Sequence, residues 1–124
     1  MKDFLSGLTA VHSGEHVYRG YYRYAEGQRA DSKVAFPRTQ HPVIRTHPES
    51  GRQAIFVNTG FTTHIEGLER RESDALLQFL YAHCARPEFQ VRFRWAPGSI
   101  AFWDNRSTQH HAMWDYYPQV RSGF

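Results

Sequence analysis

The sequence predicts a mainly β fold with one helix, of the α+β class, from three observations. Phe89, Val91, Phe93 and Trp95 alternate with Gln90, Arg92 and Arg94, the period of a strand with one buried and one wet face. Leu76, Leu77, Leu80, Tyr81 and Cys84 recur at helical spacing between Glu69 and Ala85, behind acidic residues and ahead of Pro87, which places one amphipathic helix near 70–85. Elsewhere short apolar runs are separated by turn-forming residues, the pattern of hairpins.

Taken in order, residues 1–40 are polar and broken, with Tyr18, Tyr21, Tyr22 and Tyr24 running into EGQRADSK. They read as an irregular lead-in holding one short helix or strand. Val43, Ile44 and Arg45 lead through Pro48, Glu49, Ser50 and Gly51 to Ala54, Ile55, Phe56 and Val57, a β-hairpin. The helix follows, then the alternating strand at 89–95. Ala96, Pro97 and Gly98 turn the chain into a second apolar strand, Ile100–Trp103, and the polar turn Asp104–Thr108 leads to a strand at His110–Trp114. A last segment runs from Gln119 to Phe124. About six strands are too few to cover their own edges in a closed β-structure, so the sequence is expected to be a single incomplete domain that needs a partner.

At 124 residues, with Lys+Arg 15 against Asp+Glu 12 and 15% aromatic residues, the chain holds one folded domain and is not a disordered polymer. No apolar run approaches the ~20 residues of a membrane helix, and the N-terminus lacks the basic and apolar regions of a signal peptide. One cysteine, Cys84, excludes an internal disulfide, so a cytoplasmic location is expected. The basic residues are mainly Arg dispersed from Arg19 to Arg121, and the only adjacent pair, Arg70 and Arg71, lies among Glu66, Glu69 and Glu72. A phosphate-tracking surface needs them clustered, so neither nucleic acid nor a membrane is an expected partner. A homo-oligomer is left open.

Eight histidines stand out, since histidine is the commonest metal ligand. His110 and His111 are adjacent on an expected strand and point to opposite faces, so one faces inward. Eleven residues beyond His110 comes Arg121, whose fork of donors suits bidentate capture of a carboxylate. His64 with Glu66 and His47 with Glu49 have His-x-carboxylate spacing, a weak signal by itself. His12 and His16, at i,i+4 spacing without an amphipathic pattern, read as loop residues. Asp104, Asn105 and Arg106 read as a polar turn.

The stretches HPVIRTHPESGRQAIFVNTGFTTHIEGL, EFQVRFRWAPGSIAFWDNRSTQH and DYYPQVR closely resemble the C-terminal half of the TauD/TfdA family of Fe(II)- and 2-oxoglutarate-dependent dioxygenases. The resemblance runs from about His41 to Phe124 and more loosely back to Leu5. It implies part of a double-stranded β-helix, a jelly-roll-like fold, here truncated. It further implies a dioxygenase that hydroxylates a small organic acid, such as taurine or another sulfonate, while decarboxylating 2-oxoglutarate to succinate. By the match His110 corresponds to the distal iron ligand and Arg121 to the arginine that binds the far carboxylate of 2-oxoglutarate, while Phe61 and Tyr18 fall where aromatic residues line the substrate pocket. The family's His-x-Asp iron ligands lie upstream of anything present, and the sulfonate-binding arginine aligns one position after Phe124. The missing N-terminal half is thus an expected partner, and the chain alone is expected to be inactive. The rival reading is an inactive β-rich remnant or a binding module without turnover.

Overall fold

The computed structural model describes residues 1–18, 36–113 and 117–118. A short helix α1 (Lys2–Ser6) is followed by strand β1 (Thr9–Ser13), then β2 (Arg38–Pro42), β3 (Ile44–Thr46), β4 (Gln53–Ile55), β5 (Thr62–Ile65) and helix α2 (Arg70–Cys84), with a single 3-10 turn at Pro87–Phe89. The strands form two antiparallel sheets, one ordered β2-β1-β5 and the other the hairpin β3-β4. In the larger sheet Ala10 stands opposite His41 on one side and Ile65 on the other, and the β1-β5 register shifts between Val11 and His12.

Residues 9–13 fall within the stretch expected to be an irregular lead-in, yet they form the central strand of the larger sheet. Paired on both edges, β1 is buried from Ala10 to Ser13. TAVHS carries no clean alternation because both of its faces are covered, which removes the period-two signal. His12, expected in a loop, is one of these buried residues.

The expected hairpin forms with Ile44 opposite Ile55 and Thr46 opposite Gln53. Its turn is closed by the Gly51 N–H donating to the His47 carbonyl at 2.9 Å, with Gly51 at φ 67°, a conformation that costs glycine nothing. The hairpin joins the rest of the fold through Val43, whose N–H donates to the Leu8 carbonyl and whose carbonyl accepts from Phe56 N–H.

Helix α2 lies where its periodicity predicts. At its start the Glu72 carboxylate accepts from the Glu69 N–H at 3.1 Å, satisfying a backbone donor that the helix leaves open. Leu77 and Leu80 bury the apolar face into a core with Leu5, Ala10, Val43, Val57 and Ile65. The buried Ser73 Oγ accepts from Ile65 N–H at 2.8 Å and so fastens the helix to the end of β5.

Beyond the 3-10 turn the structure departs from the sequence expectation. The strands expected at 89–95, 100–103 and 110–114 are absent among the described residues, which include 110–113 of the last; Trp114 and the expected segment Gln119–Phe124 lie outside them. Val91 and Phe102 are each 93% exposed, and His110, expected to face an interior, is exposed outside any strand. An isolated strand is not stable: its N–H and C=O groups need a ladder partner and its apolar side chains a facing layer. Neither sheet offers this segment either one.

Candidate functional site

Among the described residues, Phe61 with Tyr18 and His110 with its neighbours fall in two separate places. The first is at the end of β1. Asn58 Oδ1 accepts from Phe61 N–H at 2.8 Å while Asn58 N–H donates to Thr62 Oγ1 at 3.0 Å, a side-chain-closed turn of the kind asparagine favours. The Phe61 carbonyl then accepts from Ser13 N–H at 2.8 Å. This fixes Phe61, half-buried, beside β1, and its ring lies 6.0 Å from that of Tyr18 across Gly14. The structure therefore brings Phe61 and Tyr18 together, although they are far apart in sequence. A cavity of about 310 Å³ opens nearby, lined by Ser13, Glu15, His16, Arg38 and Thr63.

Next to it, the buried His12 ring packs edge-on to His41 at 5.0 Å and stacks on Phe56 at 5.7 Å, with Nε2 3.3 Å from Thr62 Oγ1. Burial, and after it the neighbouring His41, push the His12 pKa down, against a raising contribution from the Phe56 backbone. The Arg45 guanidinium lies over the other ring of the group, 4.6 Å from the Phe56 centroid. Sequence reasoning missed this cluster, because the sheet register that juxtaposes His12 and His41 leaves no local signal.

The second place is the segment Trp103–His110. Asp104 Oδ2 lies 3.0 Å from His47 Nε2, and the same carboxylate accepts from Arg106 Nε at 2.9 Å and from an Arg106 terminal nitrogen at 2.6 Å. Arg106, and after it His47, hold the Asp104 carboxyl far below the usual carboxylate range. The expected polar turn is present, with Thr108 N–H donating to the Asp104 carbonyl at 2.9 Å. The His110 ring lies 4.8 Å from Trp103. Arg121 lies outside the described residues.

The two His-x-carboxylate pairs have other partners. Glu49 and Ser50 N–H both donate to His47 Nδ1 at 3.2 Å, so both ring nitrogens of His47 are engaged. His64 Nδ1 meets Thr63 Oγ1 at 3.0 Å, and Glu66 accepts from Gln40 at 2.5 Å. Among the described residues no three His, Cys, Asp or Glu side chains converge to hold a metal ion. A two-histidine-one-carboxylate iron site needs three ligands, so the described residues do not by themselves fit iron. No helix among them is long and apolar enough to cross a membrane.

The described residues thus hold antiparallel sheets packed on a helix, an aromatic pair beside a cavity, and an ordered Trp-Asp-Asn-Arg turn leading to a histidine. Residues 1–123 match the taurine catabolism dioxygenase TauD, TfdA family, and the chain belongs to it. It is 36% identical over 118 residues to the alpha-ketoglutarate-dependent sulfonate dioxygenase of Saccharomyces cerevisiae, covering 94% of this chain and 27% of that protein. It is also 36% identical over 126 residues to the alpha-ketoglutarate-dependent sulfate ester dioxygenase of Pseudomonas putida, covering 98% of this chain and 42% of that one. Among solved structures, a taurine dioxygenase from Burkholderia xenovorans superposes with a TM-score of 0.66 at 39% identity, covering 85% of this chain and 32% of its own. The chain thus spans between 27% and 42% of the length of these relatives.

Proposed function

We propose that this chain is the C-terminal portion of a cytoplasmic Fe(II)- and 2-oxoglutarate-dependent dioxygenase that hydroxylates a small organic acid of the sulfonate or sulfate ester class. The observation that carries the proposal is the family match over residues 1–123, together with relatives named for those substrates. In the complete double-stranded β-helix, His110 supplies one imidazole ligand and the upstream half supplies the His-x-Asp pair. Iron, when held there, supplies the oxidising chemistry. Arg121 holds the far carboxylate of 2-oxoglutarate through two parallel hydrogen bonds, which fix orientation as well as charge. Phe61 and Tyr18 contribute an apolar wall that keeps water from the substrate's carbon skeleton. The 6.0 Å ring separation supports their sharing one surface.

The second reading, a β-rich binding module without turnover, is favoured by the lack of a three-donor cluster among the described residues. Succinate release separates the two. The 124-residue chain with Fe(II), ascorbate, 2-oxoglutarate and oxygen is expected to form no succinate above background, with or without taurine. A full-length protein restored with its upstream half is expected to turn over, and His110→Ala in it to abolish turnover. An inactive restored protein would favour the binding module. Turnover by the short chain that is lost in His64→Ala or Glu66→Ala would instead establish a different ligand set.

A further inference from the structure

The segment from Trp103 to His110 makes no strand pairing, yet it is fastened near both of its ends, to His47 at the turn of the β3-β4 hairpin and to Val57 just beyond β4. At its start, Asp104 meets His47 Nε2 at 3.0 Å, a contact between residues 57 apart. At its end, Gln109 Nε2 donates to the Val57 carbonyl at 2.9 Å, across 52 residues. The hairpin side is itself ordered, because His47 Nδ1 accepts from the backbone N–H groups of Glu49 and Ser50. With Nδ1 accepting, the ring hydrogen sits on Nε2 and is donated to Asp104. Arg106 holds the same carboxylate, with Nη2 2.6 Å from the Oδ2 that His47 meets and Nε 2.9 Å from Oδ1, and its Nη1 reaches 3.9 Å from Glu49, on the hairpin turn. A charged acceptor makes stronger, shorter bonds than a neutral one.

We propose that His47, Asp104 and Gln109 are positioning residues that set the segment bearing His110 against the β3-β4 hairpin and the chain that leaves it at Val57, independently of any sheet ladder around it. Its meaning for catalysis rests on the assignment of His110 as a metal ligand; the positional claim does not. A histidine presented from a loop clamped at Asp104 and at Gln109 has few orientations to lose when a ligand binds, which is the advantage of holding a ligating side chain by surrounding hydrogen bonds.

The test uses the isotopically labelled 124-residue chain without metal. The Trp103 indole, 4.8 Å from the His110 ring, shifts the His110 ring proton resonances and so reports their relative placement. Asp104→Ala and His47→Ala are expected to move these resonances toward random-coil values. Both are also expected to speed exchange of the Ser107 and Thr108 amides about tenfold, as local opening becomes easier. His47→Gln, which keeps a donor near the Nε2 position, is expected to restore both signals. Gln109→Ala removes the side-chain bond to the Val57 carbonyl and leaves every core side chain in place, and is expected to move the His110 resonances alone. Protected Ala10 and Ile65 amides establish that the sheet persists in each variant. Unchanged His110 resonances in Gln109→Ala, or in Asp104→Ala with the sheet intact, would overturn the proposal. Because no metal enters the readout, that result would leave the assignment of His110 as a ligand standing, and an active His110→Ala full-length protein would leave the tether standing.

Discussion

At the residue scale the most consequential environment is that of His12, buried in the central strand with His41 at 5.0 Å and with Phe56, capped by Arg45, on its other side. Desolvation first, and the His41 charge second, disfavour protonation, so its pKa lies below the ordinary value of 6.5. The unfolded chain therefore binds this proton at higher pH than the folded one. Stability is complete above about pH 6.5 and declines below it, until the lowered folded pKa is reached. Urea midpoints are expected to fall between pH 8 and pH 5.5, and to fall less in His12→Asn. An equal fall in the variant would assign the effect to other groups. Neither the burial of His12 nor its pairing with His41 is legible in the sequence. Both follow from a register that sets Ala10 opposite His41.

Helix α2 and the β3-β4 hairpin are the elements that the sequence announces best, and each carries its own reason. The helix shows a 3.6-residue apolar stripe and acidic residues at its start, and the hairpin has Gly51 at the turn position that requires positive φ. What the stripe could not show is the polar stitch inside it. Ser73 is fully buried and holds the β5 backbone at Ile65. Ser73→Ala leaves that N–H without its partner and is expected to cost about 1–3 kcal/mol. Leu80, 1% exposed, is expected to cost about 2–5 kcal/mol on truncation to Ala. Urea denaturation followed by circular dichroism checks both. A loss under about 0.5 kcal/mol in Leu80→Ala would mean that the helix is not docked on this core.

For the whole molecule, the distribution of apolar surface decides behaviour. The core is small, while Val91, Phe93, Trp95, Ile100 and Phe102 are all more than half exposed along one stretch of chain. Exposed apolar area of this kind marks a surface meant for a partner, and unladdered extended chain recruits other strands. The isolated chain is expected to self-associate, seen by light scattering as a mass that rises with concentration. Phe93→Arg with Phe102→Arg should shift it toward monomer. A monodisperse monomer across the micromolar range, stable to heat in a single cooperative transition, would count against this.

Family, the combination of antiparallel strands with a helix, and the existence of helix and hairpin were legible in the sequence alone, because each is written in short-range pattern: WDNRSTQH and RTHPESG as contiguous strings, the helix as a stripe, the turn as a glycine. The alternation at Phe89–Trp95 is equally plain, and it describes a strand. The tertiary structure decided that this segment stays unpaired here, since a strand is a relation between chains of hydrogen-bonding groups and not a property of one segment. It likewise decided that a broken N-terminal stretch supplies the central strand, that the Phe61 and Tyr18 rings lie 6.0 Å apart, and that His47 meets Asp104. Those facts join residues far apart in the chain, and only folding sets the distances between them.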